Sequence, residues 1–216
     1  MARAVDPTLL VLLGLRLRGF GPSGAVAELA GLDVQCVRRT LAACEARGWA
    51  AHRDGHARGW SLTPAGRAEG ERRLGAELDE RGQRPAVLVA YERFLGHNAE
   101  LLAICTAWQV REGTGANDHS DEAYDAVVIE RLGAVHVAAG PTRAALAGAL
   151  DRFGPYEARL GHALGRVRAG ERNWFAGAGV ASYHSVWFEL HENLLATLGI
   201  DRSRERRGPD DQPGEH

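Results

Sequence analysis

The apolar positions fall into helical stretches separated by short breaks, and the pattern sets the fold class before any other property is considered. Asp6-Pro7 is a helix start, aspartate capping and proline in the first turn. The run Leu9-Leu10-Val11-Leu12-Leu13-Gly14-Leu15 that follows predicts a heavily buried first helix, far too short to span a bilayer and closed by Arg16 and Arg18. Residues 19–24, Gly-Phe-Gly-Pro-Ser-Gly, predict a loop with Ser23 capping the next helix. Val26 and Leu29 mark a short amphipathic run, Gly31-Leu32-Asp33 a turn, and Val34, Val37, Leu41 and Cys44 then recur on one face at 3,4,3 spacing. Asp33 is placed as N-cap of that second helix, and Gly48 stops it. Two β-compatible runs, 49–52 and 59–62, flank residues 53–58, where Asp54-Gly55 is a hairpin signal. The front of the chain therefore reads as a helix-turn-helix with a β-hairpin wing.

Behind it the pattern is helical throughout, so the fold class is mainly α. Thr63-Pro64 opens a long polar helix over 64–81. Over 85–111, Val87, Tyr91, Phe94, Asn98, Leu101, Cys105 and Trp108 form a seam at alternating four- and three-residue steps, the geometry of a helix packed lengthwise in a bundle. Asn98 lies mid-seam, where a buried amide needs a partner; a register-fixing contact and a ligand contact both stand open. The polar cluster Asn117-Asp118-His119-Ser120-Asp121 caps a helix beginning near Glu122, and a pocket rim is its second reading. Helices are expected over 122–139, with Tyr124, Val128, Leu132 and Val135 inward, and then over 141–153 and 155–169. Residues 170–177 are a turn whose Trp174 and Phe175 pack back on the bundle. The last helix, 180–198, carries the stripe Tyr183, Trp187, Leu190 and Leu194, flanked by His184 and His191. Residues 200–216 are charged, bear Pro and Gly, and are expected to be disordered.

Gly31-Leu32, Val37, Leu41, Glu45, Gly48 and Leu62-Thr63-Pro64-Ala65-Gly66-Arg67 resemble the winged helix-turn-helix of bacterial transcriptional regulators of the MarR and PadR type, over about residues 6–75. The resemblance implies that the second helix enters the major groove and the wing lies along the backbone or minor groove. Carried over by position, Gln35, Arg38 and Arg39 are the groove candidates, and His52, Arg53, His56 and Arg58 belong to the wing. Arginine pairs with guanine, and glutamine with adenine, through two parallel hydrogen bonds. Solvation of the helix face is the competing account of the arginines, and winged helices also serve as protein-protein modules.

Charge and composition refine this reading. All 26 basic residues are arginine, so basic content carries no nucleic-acid signal of its own; its distribution does. Residues 1–75 hold 11 Arg against 7 acids, a net +4, and the remainder 15 against 21, a net −6, within a total of −2. That asymmetry suits a DNA-reading front and predicts salt-sensitive binding. The three cysteines, with no secretory signal, point to a reducing cytoplasm. His184 and His191, seven residues apart on one helix, are about 10 Å apart along its axis and cannot share an ion; neither metal nor cofactor is expected. Asn98, Trp108, His119, Tyr183, His184, Trp187 and His191 are the candidate effector-binding residues.

The back half, through Tyr91-Glu92-Arg93-Phe94-Leu95, Trp108-Gln109, Asn117-Asp118-His119-Ser120-Asp121 and 182–192, is also similar to helical segments of pyruvate phosphate dikinase-like, phosphoenolpyruvate-utilising proteins. This implies an accessory or sensing module, since no phosphate cradle and no nucleophile-base-orienter set is present. The expectation is a cytoplasmic regulator, not an enzyme. Residues 1–75 bind double-stranded DNA, 76–199 dimerise and sense a small-molecule effector, 200–216 form a tail, and no membrane is involved. The alternative is a module that regulates a phosphoenolpyruvate or carbohydrate enzyme without touching DNA.

Overall fold

The computed structural model describes residues 6–55, 57–111 and 115–201, and is mainly α with two small antiparallel sheets. Among the described residues, those from Asp6 to Gly82 together with Glu192–Asp201 form one compact unit, and those from Gln83 to His191 form the other.

In the first unit, α1 (Pro7–Arg18), β1 (Phe20–Gly21), α2 (Ser23–Ala30), α3 (Val34–Ala46), β2 (Ala50–Arg53), β3 (Gly59–Leu62) and α4 (Pro64–Glu80) follow in order. The sheet order is β1-β3-β2, with His52 opposite Trp60 and Arg53 opposite Gly59 in the hairpin. Asp6 caps α1 by accepting from the Thr8 amide at 2.9 Å, and Asp33 caps α3 by accepting from Gln35 and Cys36 at 2.9 and 3.2 Å. Gly31 closes α2 in the left-handed conformation at φ 63°, which costs glycine least, and so makes the tight turn into α3.

The continuous apolar run of α1 has a physical reason: the helix is buried on two sides. Val11, Leu12 and Leu15 join Val26, Val37, Leu41, Cys44 and Ala50 in one core, while Leu9 and Leu13 join Leu74 and Ala196 in a second. Each fully buried Val or Leu contributes about 1.5–3 kcal/mol. The second core explains why this unit extends past residue 75, the limit expected from sequence. Leu74 and Leu78 of α4 are buried, and Arg16 donates from Nε to Glu192 at 2.8 Å while also pairing with Glu71.

The stretch 19–24 is not a simple loop. Phe20 and Gly21 pair with Ser61 and Trp60 as a third strand, α2 starts at Ser23, and Pro22 occupies the cap position without a side-chain bond. Ser23 Oγ instead faces Arg38 Nε at 3.5 Å. His56 and residues 202–216 of the expected tail lie outside the described residues.

The second unit contains α5 (Arg84–Gln109), β4 (Val110–Arg111), β5 (Gly115–Ala116), α6 (Glu122–Ala138), α7 (Gly140–Ala149), a 3-10 turn (Asp151–Phe153), α8 (Pro155–Arg168), α9 (Asn173–Ala176) and the first part of α10 (Tyr183–Leu198). Every apolar seam position of α5 from Val87 to Trp108 is buried. The helix ends at Gln109, two residues short of the expected limit, because Val110 and Arg111 pair with Ala116 and Gly115. All three cysteines are free; burial pushes the Cys105 thiol up to about 11 and raises Cys44 as well.

Candidate functional site

The α3 face and the hairpin are built from the cap upward. Asp33 fixes the start of α3, Val37, Leu41 and Cys44 turn one face into the core, and Gln35, Arg38 and Arg39 are left exposed on the other. None of these three enters an ion pair among the described residues, and the Arg38–Ser23 contact is their one side-chain hydrogen bond there. The far end of α3 is tied to the wing. Trp49 N donates to Cys44 O at 2.9 Å, Thr63 Oγ1 donates to Gly48 O at 2.6 Å, and Glu45 accepts from the His52 amide at 3.4 Å.

On the hairpin, Arg53 and Arg58 are exposed; Arg53 lies over the Phe20 ring at 5.9 Å and Arg58 Nε is 3.3 Å from Asp54. His52 is half-buried, its ring 4.6 Å from that of Trp60 and its Nδ1 3.7 Å from Asp54. Guanidinium groups open to solvent in this way have donors free for bidentate contact with base edges or phosphate.

The seven candidate effector residues do not converge on one pocket. Half-buried Asn98 accepts at Oδ1 from Trp187 Nε1 at 3.1 Å, so its carbonyl oxygen is bonded to the neighbouring helix. Phe94 stacks on Trp187 at 4.9 Å and meets His191 at 5.1 Å; Tyr183 stacks on Trp187 at 6.2 Å and meets His136 through its hydroxyl at 3.3 Å. Tyr183, Trp187 and His191 are buried because the α10 stripe that carries them faces the core. His184 is half-buried, and burial lowers its pKa.

Trp108 and His119 belong elsewhere, at a cleft of about 830 Å³ that Trp108 lines together with Asp125, Ile129, Val167, Arg172 and Trp174. Trp108 stacks on Phe175 with centroids 4.2 Å apart and meets the His119 ring at 4.4 Å. His119 is the one non-glycine residue with positive φ, 60°, among the described residues. Several bonds hold it there: its amide donates to Asn117 Oδ1 at 3.2 Å and its carbonyl accepts from Arg172 at 3.0 Å. Its Nδ1 faces both oxygens of buried Asp125 at 3.1 and 3.0 Å, and Asn117 Nδ2 donates to Asp125 at 3.0 Å. An Nδ1–H donated to the carboxylate leaves Nε2 as an acceptor, and Nε2 has no partner among the described residues. A non-glycine residue held in this backbone region by so many bonds is a mark of functional sites. Capping of α6 falls to Asp121 alone, which accepts from the Tyr124 amide at 3.0 Å and frees Asn117 and His119 for this network.

Sequence reasoning did not find the buried cation of α7. Arg143 is 4% exposed, donates from Nε to Glu157 at 2.5 Å and from Nη2 to His136 O at 2.9 Å, and its Nη1 is buried without a hydrogen-bond partner among the described residues. Its only sequence signal was an arginine amid the small residues of 141–149, where no partner was visible.

No family model, curated protein or solved structure matches the chain. Among the described residues, no helix is long and apolar enough to cross a membrane, and no three His, Cys, Asp or Glu side chains are grouped to hold a metal ion.

Proposed function

We propose that the chain is a DNA-binding transcriptional regulator that reads a palindromic operator as a dimer, α3 in the major groove and the hairpin along the backbone. The observation that carries this reading is the face formed by Gln35, Arg38 and Arg39. All three are exposed, none is engaged by an acid among the described residues, and they sit on a helix whose start is capped and whose end is bonded to the wing. Cytoplasmic location belongs to the same reading.

The cleft is the site for a small effector. Trp108, Ile129 and Val167 supply apolar walls, and Asp125 with its His119 partner supplies oriented polar groups, the composition of a ligand pocket.

A gel shift against the DNA flanking the chain's own gene, run as a salt series, tests the proposal. Binding that weakens with salt and falls on Arg38→Ala and Arg58→Ala is expected. A folded protein that retards none of that DNA at low salt overturns it and favours an interaction module.

A further inference from the structure

The outer face of α6 presents an exposed stripe that is apolar at four of its five positions. Its core side is Asp125, Val128, Leu132 and Val135. Opposite, Ala123, Val127, Glu130, Ala134 and Val137 follow one another at 4,3,4,3 spacing and all are exposed, Val127 to 61% and Val137 to 73%. Ala126 and Ala138 flank the stripe, also exposed, with Arg131 beside it and exposed Glu122 at its N-terminal edge. Neither Glu130 nor Arg131 enters an ion pair among the described residues. This spacing is that of a seam that packs lengthwise against another helix, and its two valines are more than half exposed. Beyond it, the exposed positions of α7, Pro141, Ala144, Ala145 and Gly148, carry no charge.

We infer that this stripe is the contact surface for a second copy of the chain, the two α6 helices lying antiparallel across a two-fold axis. The seam spans about 21 Å at 1.5 Å per residue. A surface that pairs with itself across a two-fold axis must be self-complementary, and the charges decide the direction. In a parallel pair Glu130 would meet Glu130 of the second copy, like charge against like. In an antiparallel pair that brings Val127 to Val137 of the second copy, Glu130 lies over Ala134 and within reach of Arg131, and the symmetry makes that ion pair twice. The inference names the surface of the dimer proposed above and stands independently of DNA contact.

Sedimentation of the full chain without DNA tests it. The expected result is a dimer that Val127→Glu or Val137→Glu shifts at least about tenfold toward monomer, with unchanged circular dichroism, since both sites are exposed. Glu130→Arg and Arg131→Glu each weaken the dimer, and the double exchange restores it. Oxidising an equal mixture of Val127→Cys and Val137→Cys proteins yields the mixed disulfide, which neither gives alone. A monomer at all concentrations, a dimer indifferent to both valine substitutions, or a disulfide from Val127→Cys alone overturns the antiparallel α6 pairing. Because the readout contains no DNA, its failure leaves the gel shift free to succeed.

Discussion

A methyl group on Gly66 would stand 1.8 Å from the Trp49 carbonyl oxygen and 2.7 Å from its carbon. That oxygen also accepts the Thr63 amide at 3.1 Å, so no room exists at the base of the hairpin without loss of a bond. Gly66→Ala is therefore expected to cost about 1–3 kcal/mol, the range for overpacking, read as a lowered denaturation midpoint; an unchanged midpoint would show that α4 can back away freely. Histidines govern the response to acid. Burial first and the Arg143 charge second depress the pKa of His136 below its ordinary 6.5, against the opposing pull of Glu157, and burial alone depresses His184. The unfolded chain takes up these protons at the ordinary value and the folded chain only at lower pH. Stability is thus full above about pH 7 and is lost as pH falls through 6.5 toward the folded values. Melting temperature should hold between pH 7 and 8 and drop between 7 and 5, with a smaller drop in His136→Gln/His184→Gln; equal drops would remove the histidines from the account. The sequence displayed both histidines but not Arg143 beside His136, a neighbour that only tertiary packing supplies.

At the scale of elements, α3 separates stability from contact. Removing its cap by Asp33→Ala leaves the Gln35 and Cys36 amides without their acceptor and should cost about 1 kcal/mol. Arg38→Ala removes an exposed side chain and should stay within about 0.5 kcal/mol. Thermal melts of the two variants beside their gel shifts check this; an Arg38→Ala protein that melts as low as Asp33→Ala would make Arg38 structural. The elements legible in the sequence are those with long periods and caps: α3 with Asp33, α4 with Thr63-Pro64, α5 with its seven-residue seam, α10 with its stripe. Those missed are β1, β4 and β5, each two residues long and too short to show a period of two, the one-turn α9 inside the expected turn 170–177, and the 3-10 turn Asp151–Phe153, which the expected helix 141–153 ran into because one turn shows no period of its own. The cleft was only half legible for a related reason. Trp108 and His119 were singled out, but Ile129, Val167 and Trp174 come from three other helices, and nothing local joins them. Conversely, Tyr183, Trp187 and His191 bear pocket-like chemistry yet serve the core, because aromatic and imidazole groups fill both roles with the same residue types.

For the molecule as a whole, the basic front read from sequence does not survive division into compact units. Over the described residues the first unit carries 11 Arg and 12 acids and the second 10 and 11, so net charge steers neither unit toward a polyanion. What remains is local: Arg38, Arg39, Arg53 and Arg58, all exposed on α3 and the hairpin. Salt dependence then counts them. If all four meet phosphate, the logarithm of affinity falls with that of salt at a slope of about −0.9 per contact, roughly −3.6 for one head and −7 for two. Between 50 and 200 mM salt a dimer should lose about ten-thousand-fold in affinity and a monomer about a hundred-fold. Val137→Glu, which splits the α6 pair without touching the reading face, should halve the slope, whereas Arg53→Ala in an intact dimer should lower its magnitude by about 2, one contact per head. Binding isotherms at four salt concentrations for the three proteins distinguish the cases. A slope unmoved by Val137→Glu would mean that each head binds alone, and one unmoved by Arg53→Ala would place the hairpin off the backbone.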